Sequence, residues 1–244
     1  MPAESSVDKL RDLSPSFDLR PAQRIAMVAL AYVPLLHLVV CATAALAAYR
    51  SYGLAWAVIA GMSAVYLIPP LAVAAIRPRT LLREAHAGVA TPEFFRWWYT
   101  SQWQVIFNRF PQLEEALRMV PGLYSAWLRL WGARIGRLVY WSPGLQLYDR
   151  PFLDIGDRVV IGANAKLCPH LLARGPSGAT EFVLASIHIG ADSMIGGSTL
   201  LPAGVYVAER EQTPGGRSMA PFSRFENGRH HRTRRFHKGS IYEE

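Results

Sequence analysis

The sequence predicts a membrane-anchored α+β protein, in which an N-terminal transmembrane helical hairpin and amphipathic interfacial helices precede a short parallel β-helix. Two observations predict this fold: a pair of long uncharged apolar stretches, and a later segment in which an aliphatic residue recurs every six positions. A fixed period indicates a repeat fold before any single residue does. Six residues per step fits a coil with three flat faces, whose aliphatic side chains point inward. These positions are Ile155, Ile161, Leu167, Ile189, Ile195 and Leu201.

The apolar stretches, residues 25–48 and 51–76, contain no Asp, Glu, Lys or Arg. Each exceeds the roughly 20 residues that a helix needs to cross about 30 Å of hydrocarbon. We therefore predict a transmembrane hairpin over residues 24–77, preceded by a polar segment over residues 1–23. Basic residues flank the hairpin on both sides and only Arg50 lies in its loop, so the positive-inside bias puts both termini in the cytoplasm and the protein in the inner membrane.

Three prolines, Pro34, Pro69 and Pro70, fall inside these apolar stretches. Proline removes a helix hydrogen bond and bends the segment, which membranes tolerate where neighbours satisfy the freed backbone groups. A re-entrant hairpin that enters and leaves on one side therefore stays open. A pair of buried soluble core helices is the other alternative, although soluble helices of this length normally have a polar face.

Residues 78–132 are predicted to form amphipathic helices at the membrane–water boundary. Thr91 followed by Pro92 is typical of a helix start. Arg96 and Arg109 then mix with aromatic residues, a composition that favours the interface between lipid and water. Among these aromatic residues are Phe94, Trp97, Trp98, Trp103, Phe107 and Phe110. The alternative is an ordinary soluble helical subdomain that uses its tryptophans as core.

The β-helix is predicted over residues 133–208, with slightly more than three coils. The stretch between Leu172 and Val183 lacks the period and is rich in Gly and Pro, which indicates a loop that leaves the coil. So short a solenoid needs end caps and neighbours, so we expect the helices to cap its start and a homotrimer to bury its sides. After Val207 the period ends, and residues 209–244 are predicted as a basic C-terminal tail.

The net charge of +8 fits anionic lipid headgroups, and it fits an acidic ligand such as a phosphorylated cofactor equally well. No nucleic-acid module is visible, so nucleic acid is not an expected partner. The two cysteines, Cys41 and Cys168, lie far apart in segments of different character. We expect no disulfide, which suits a cytoplasmic location.

The six-residue steps, together with Leu167-Cys-Pro-His170 before the loop and Ile187-His-Ile-Gly190 after it, resemble the hexapeptide-repeat acyltransferases. That family folds as a left-handed parallel β-helix. Within it, the chain is most similar to the branch of colanic-acid and other polysaccharide acetyltransferases. Residues 120–151 are also similar to the membrane-bound terminal region of poly-lysine-type nonribosomal peptide synthetases.

This resemblance implies transfer of an acyl group from acyl-CoA, or from a carrier-protein thioester, to a hydroxyl or amine. In the family the general base is a histidine beside the loop, and His170 falls at that position. An imidazole suits this role because its ordinary pKa lies near neutral pH. The family holds its cofactor between neighbouring β-helices of a trimer. The residues we expect to line that groove are Ser193, Gly196, Gly197 and Arg210.

Three charged residues, Asp149, Arg150 and Asp154, cluster in the sequence near the loop. They are candidates to orient His170 or to bind the acceptor. Surface ion pairs are the alternative for them. Cys168 would act as a nucleophile in a covalent mechanism, but we interpret it as an inward, small apolar residue. The hairpin is foreign to soluble family members, so we expect a lipid-linked or small-molecule acceptor at the membrane, or one presented by a carrier protein or synthetase.

Two other functions compete with acyl transfer. A γ-type carbonic anhydrase shares the fold and holds zinc on three histidines between subunits. His170 and His188 are present, but closely paired ligand histidines are missing, so no metal is expected. The second alternative is a non-catalytic membrane scaffold or oligomerisation module of a biosynthetic synthetase.

Overall fold

The computed structural model describes residues 19–80, 85–174, 179–232, 234–237 and 240–243. Residues 1–18 of the predicted polar segment 1–23 lie outside the described residues. The chain begins with three helices, α1 (Pro21–Ala31), α2 (Val33–Tyr52) and α3 (Leu54–Thr80). Pro34 lies in the first turn of α2, where its missing N–H costs no helix hydrogen bond. Gly53, at φ 89°, makes the turn between α2 and α3.

Two stretches of helix, Pro21–Tyr52 and Leu54–Ile76, are long and apolar enough to cross a membrane. Only 11 % and 22 % of their most apolar windows are buried. The core helices of a soluble protein are mostly buried, whereas here Leu36 and Ile59 are 61 % and 54 % exposed. Apolar surface on this scale indicates contact with lipid or with another protein.

Three shorter helices follow, α4 (Pro92–Arg109), α5 (Gln112–Arg118) and α6 (Leu123–Trp131). The Thr91 side chain accepts a hydrogen bond from the backbone N–H of Phe94 and caps α4. Several aromatic residues of this segment point inward: Phe94, Trp127 and Trp131 are at most 3 % exposed, whereas Phe110 is 56 % exposed. These buried rings pack against the hairpin and the β-helix. The position of the segment at the membrane–water boundary stays a prediction.

A proline in α3 explains one contact across this seam. Pro70 has no N–H, so the carbonyl of Tyr66, four residues earlier, loses its helical donor. The indole Nε1 of Trp127 donates to that carbonyl at 2.8 Å. The Tyr66 hydroxyl in turn donates to the carbonyl of Leu113 at 2.8 Å. At Pro70, α6 thus replaces the missing helix donor.

The β-helix begins directly after α6 and has three parallel sheets, one for each face. In chain order, its strands are β2 (Arg134–Ile135), β3 (Tyr140–Trp141), β4 (Gln146–Leu147), β5 (Leu153–Ile155), β6 (Val160–Ile161), β7 (Lys166–Cys168), β10 (Ile187–Ile189), β11 (Met194–Ile195), β12 (Leu200–Pro202), β13 (Tyr206–Val207) and β14 (Ser223–Glu226). The first face has the order β2-β5-β10-β13-β14, the second β3-β6-β11 and the third β4-β7-β12. The aliphatic residues of the six-residue period stack inside, where Ile161, Leu167 and Leu201 have no exposed surface.

The coil does not end at residue 208, where the sequence prediction ended it. Strand β14 pairs in parallel with β13, and Gln212 and Ser218 form parallel bridges to the second and third faces. The inward positions continue at steps of six through Thr213, Met219 and Phe225. Threonine and methionine disguise the period, and Pro214-Gly215-Gly216 reads as a linker although Gly216, at φ 67°, forms a corner of the coil.

The predicted basic tail is likewise corrected where the structure describes it. Strand β15 (Arg229–Arg232) folds back antiparallel on β14 and covers the open edge of the first face. Strands β16 (Arg234–His237) and β17 (Ser240–Glu243) form a separate antiparallel pair. Sequence reasoning missed these strands because their charged residues suggest a solvated segment.

The excursion between the second and third coils is a hairpin of β8 (His170–Arg174) and β9 (Thr180–Leu184). Strand β1 (Ala85–Gly88), which lies between α3 and α4, completes this antiparallel sheet in the order β1-β9-β8. In the register of the sheet, Ala85 lies opposite Leu184, and Leu184 lies opposite His170. The predicted loop is a hairpin because its partner strand comes from a distant part of the chain.

Candidate active site

His170 is the first residue of β8, at the point where the chain leaves the β-helix after Pro169. Its ring lies against the indole of Trp97, with ring centroids 4.8 Å apart, and edge-on to Tyr148 at 6.3 Å. The side chain is 26 % exposed. The imidazole is therefore held by aromatic neighbours but remains within reach of a ligand.

Asp149 holds this ring from the side of Nδ1. It precedes the short 3₁₀-helix Arg150–Phe152 and has φ 45°, a left-handed conformation that Asp tolerates better than most residues. Its Oδ2 contacts His170 Nδ1, and its Oδ1 accepts a hydrogen bond from Trp97 Nε1 at 2.7 Å. Since a carboxylate only accepts, Nδ1 carries the proton in this contact. Among the described residues His170 Nε2 has no hydrogen-bond partner.

The Asp149 carboxylate sets the charge preference of the imidazole. Burial lowers the pKa of His170, but the charge and hydrogen bond of Asp149, with a smaller contribution from Cys168, outweigh burial and raise that pKa to about 10. The pair therefore favours the imidazolium. The same contact would stabilise the imidazolium that forms when a histidine base takes a proton, as in a serine protease triad.

Arg150 does not reach a substrate, and its predicted acceptor-binding role is corrected. The residue is 1 % exposed and its guanidinium pairs with Glu114 of α5, with Nε to Oε1 at 2.8 Å. It also donates to Gln104 and Asn108 of α4, at 2.9 and 3.0 Å. A buried charge requires partners of this kind. Arg150 thus anchors two helices to the coil and fixes the turn that carries Asp149.

Asp154 lies elsewhere, on the first face of the β-helix. It accepts hydrogen bonds from His188 Nδ1 at 2.9 Å and from Arg134 at 2.6 Å, and the three residues are in register on β2, β5 and β10. All three side chains are 32 % exposed or more. The predicted set of Asp149, Arg150 and Asp154 is thus divided, and only Asp149 contacts His170.

Three of the four predicted cofactor residues contact the coil that sequence reasoning omitted. Ser193 is 1 % exposed, and its hydroxyl donates to the carbonyl of Ala208 at 2.7 Å and accepts from the N–H of Glu211 at 3.2 Å. The N–H of Gly196 donates to Thr213 Oγ1 at 3.0 Å, and a Cβ on Gly196 would lie 2.4 Å from the backbone N of Gly215. The carbonyl of Gly197 accepts from the N–H of Gly216 at 2.8 Å, and a Cβ on Gly197 would lie 3.0 Å from the carbonyl oxygen of Ala163 in the coil before it.

These contacts explain why small residues occupy the coil at these positions: neighbouring coils approach too closely for larger ones. They assign Ser193, Gly196 and Gly197 a packing role. Arg210 is different, because it is exposed at a corner of the coil.

Cys168 does not point into the coil, since the inward position is its neighbour Leu167. The Cys168 thiol lies 3.9 Å from His170 Nδ1 and donates to the His170 carbonyl at 3.4 Å. It therefore belongs to the surroundings of His170 and not to the core. Trp97 is the neighbour that sequence reasoning missed, because nothing in the local sequence of α4 distinguishes it from the other aromatic residues there.

In the described part of the chain, no three His, Cys, Asp or Glu side chains converge in a way that could hold a metal ion.

No family model matches the sequence, and no curated protein matches it. Among solved structures, the chain is similar to a hexapeptide-repeat-containing acetyltransferase from Vibrio cholerae, with 16 % identity, a TM-score of 0.38, and coverage of 50 % of this chain and 85 % of that one. It is also similar to a galactoside acetyltransferase in complex with coenzyme A, with 14 % identity, a TM-score of 0.30, and coverage of 48 % and 73 %. Neither likeness is strong enough to establish the family of this chain.

Proposed function

We propose that this chain is a membrane-bound acyltransferase of the left-handed β-helix type. It moves an acyl group from a thioester, acyl-CoA or a carrier-protein thioester, to a hydroxyl or amine of a lipid- or glycan-type acceptor at the cytoplasmic face of the membrane. The observation that carries the proposal is the Asp149–His170 pair. It lies where the chain leaves the β-helix, the position at which the sequence resemblance expects a general base.

The chemistry follows from the two nitrogens of the ring. Asp149 holds the Nδ1 proton, which leaves the Nε2 lone pair to take the proton of the acceptor hydroxyl or amine. As that proton leaves, the acceptor atom attacks the thioester carbonyl and a tetrahedral intermediate forms. The C–S bond then breaks, and the imidazolium returns its proton to the departing thiolate. Asp149 stabilises the imidazolium between these two transfers.

A base of this kind must start neutral, while Asp149 favours the charged ring. We therefore expect the reaction to become faster as pH rises toward the pKa of His170, up to about pH 10. Asp149 therefore lowers the fraction of neutral His170 in the free enzyme, but it stabilises the imidazolium that forms during the reaction.

The hairpin supports the membrane part of the proposal, because its apolar surface is exposed and it packs directly on the helices beside the coil. Exposed Arg210 and Arg217 are the cations that we assign to the phosphates of a CoA donor. A homotrimer would bring a neighbouring coil next to them, as the resemblance implies.

The test is a comparison of two histidine variants in the full-length protein in nanodiscs. His170→Ala is expected to abolish transfer of radiolabelled acetyl from acetyl-CoA to a total membrane lipid and glycan extract. His188→Ala removes an imidazole from the exposed pair with Asp154 and is expected to keep the wild-type rate. Circular dichroism and size-exclusion profiles control for folding.

Product formation by folded His170→Ala at the wild-type rate would refute the proposal and favour the non-catalytic scaffold. Absence of product with every variant and with the wild type, across short and long acyl donors and a carrier-protein thioester, would also favour the scaffold.

A further inference from the structure

A groove of about 520 Å³ lies between the α5–α6 connection and the first coil of the β-helix. It is separate from His170, which does not line it. The residues that matter to what it binds are Arg118, Val120, Arg129, Leu138, Tyr140 and Trp141. A space of this size is large enough for part of a small molecule or a segment of an alkyl chain.

The polar part of the groove is the Arg118 guanidinium, whose side chain is only 4 % exposed. Its two terminal nitrogens donate to Glu115 at 2.6 Å and to Glu114 at 2.8 Å. Its Nε is buried and has no hydrogen-bond partner. Because its terminal nitrogens are paired with carboxylates and its Nε is enclosed by protein, Arg118 forms part of the groove wall and offers no donor to a ligand.

The rim of the groove is apolar and exposed. Val120, Leu138 and Tyr140 are 52 %, 83 % and 60 % exposed, and the adjacent Met119 is 82 % exposed. Apolar side chains that are exposed together next to a cavity mark a binding surface more often than isolated ones do.

Leu138 is the most informative of these residues. It occupies the left-handed corner of the first coil at φ 56°, and backbone hydrogen bonds stack the same corner of the later coils above it. Those corners carry Arg158, Asp192 and Arg210, which are all charged. A leucine is therefore placed, at an exposed and conformationally unfavourable position, only in the coil that borders the groove.

A cation lies on the same groove. Arg129 donates to the carbonyls of Ile135 at 2.9 Å and of Gly136 at 2.7 Å, and none of the described carboxylates pairs with it. Its charge is therefore available to an anion at the rim. Arg129 belongs to α6, the helix that packs on the apolar hairpin through Trp127 and Tyr66.

We propose that this groove binds one acyl chain of an anionic bilayer phospholipid. The acyl chain lies among Val120, Leu138 and Tyr140, and the phosphate of the same lipid pairs with Arg129. The site is independent of acyl transfer and rests only on the membrane location of the hairpin.

The test uses the full-length protein in vesicles that contain phosphatidylglycerol with a photoactivatable diazirine in one acyl chain. After illumination, peptide mass spectrometry locates the labelled residues. We expect label in the hairpin, residues 21–76, and a second site within residues 118–141. Leu138→Asn keeps a residue type that tolerates the left-handed corner and is expected to reduce the second label several-fold while hairpin labelling stays constant.

Met194→Asn is the matched control, because Met194 is a 44 % exposed apolar residue on the same face of the β-helix but outside the groove. It is expected to leave both labels unchanged. A diacylglycerol probe, which lacks the phosphate, is expected to label the groove several-fold less.

Three results would overturn the proposal. One is hairpin labelling without any groove label in the wild type, and another is a groove label that Leu138→Asn does not change. Equal labelling by diacylglycerol would remove the phosphate from the proposed ligand. Absence of hairpin label as well would refute the membrane location itself, a failure that this readout separates from failure of the groove.

Discussion

Replacing Asp149 with Asn tests the most specific feature of the candidate site. The amide keeps an oxygen that can accept from the Trp97 indole, but it loses the charge that favours protonated His170. The pKa of His170 should then fall from about 10 to its ordinary value of 6.5 or below, because burial still opposes the charged form. Since one pKa unit corresponds to about 1.36 kcal/mol, a fall from about 10 to 6.5 removes about 5 kcal/mol of coupling, and a fall below 6.5 removes more.

Two pH profiles follow from this shift. In the wild type, only roughly 1 % of His170 is neutral at pH 8, so activity should rise up to about pH 10. In Asp149→Asn the rise should be complete by about pH 8. The plateau should be lower by roughly 10²- to 10⁴-fold because the imidazolium intermediate has lost its partner.

Stability should change with pH in a defined direction. The folded pKa of His170 is raised, so the pair stabilises the protein fully below pH 6.5, and this contribution disappears as pH rises through about 10. Asp149→Asn should therefore lower the melting temperature most at pH 6 and least at pH 10.

The direct assay is NMR titration of His170 in protein with labelled histidine, alongside acetyl-transfer rates and thermal unfolding across the same pH range. Asp154→Asn, which removes the partner of His188, is the control and should leave the His170 titration unchanged. A wild-type His170 that titrates near pH 6.5, or a titration that Asp149→Asn does not shift, would refute this account of the site.

Three further predictions concern the fold around the site. Trp127→Phe should lower the free energy of unfolding by about 1–3 kcal/mol, because it leaves the Tyr66 carbonyl unsatisfied. In a Pro70→Ala background the helix regains its own donor, so the loss should be smaller by about 1 kcal/mol or more. A double-mutant cycle of unfolding free energies in detergent measures this difference. Arg150→Met should lose about 1–3 kcal/mol in the same unfolding assay, because it leaves the buried Oε1 of Glu114 without a donor while Arg118 still pairs with Oε2. Ser51→Cys should react with an impermeant maleimide added outside intact cells, because each helix of the hairpin is longer than the hydrocarbon core is thick. Protection from this labelling would indicate the re-entrant hairpin.

The sequence predicts the coil where its period is carried by Ile, Leu and Val and loses it where other residue types fill the same positions. Thr213 and Met219 keep the spacing of six and are 2 % and 6 % exposed, but neither marks a β-helix step by its chemistry. The extent of the coil was therefore underestimated, and Ser193 and Gly196, which the added coil covers, were assigned to a ligand.

The candidate site, like the coil, is only partly predictable from the sequence. His170 is identifiable because the resemblance includes the residues next to it. The contacts of Asp149 and Trp97 with that ring join segments 21 and 73 positions away from it, and they depend on how α4 packs on the coil. The burial of Arg150 depends equally on α4 and α5, so a charge that suggests a ligand contact in the sequence is an internal ion pair in the fold.

The sheet β1-β9-β8 has a consequence for which acceptors can react. Ala85 lies two strands away from His170, a backbone separation of about 10 Å at the usual strand spacing. Ala85 follows the last residue of α3, Thr80, by five positions, which span at most about 18 Å. The sheet register and the chain connectivity together fix an upper limit of roughly 28 Å between the backbone of His170 and Thr80, which lies four residues beyond the apolar stretch. If the hairpin is inserted, an acceptor must present its hydroxyl or amine near the bilayer surface, and long glycans can react only through the sugars closest to their lipid.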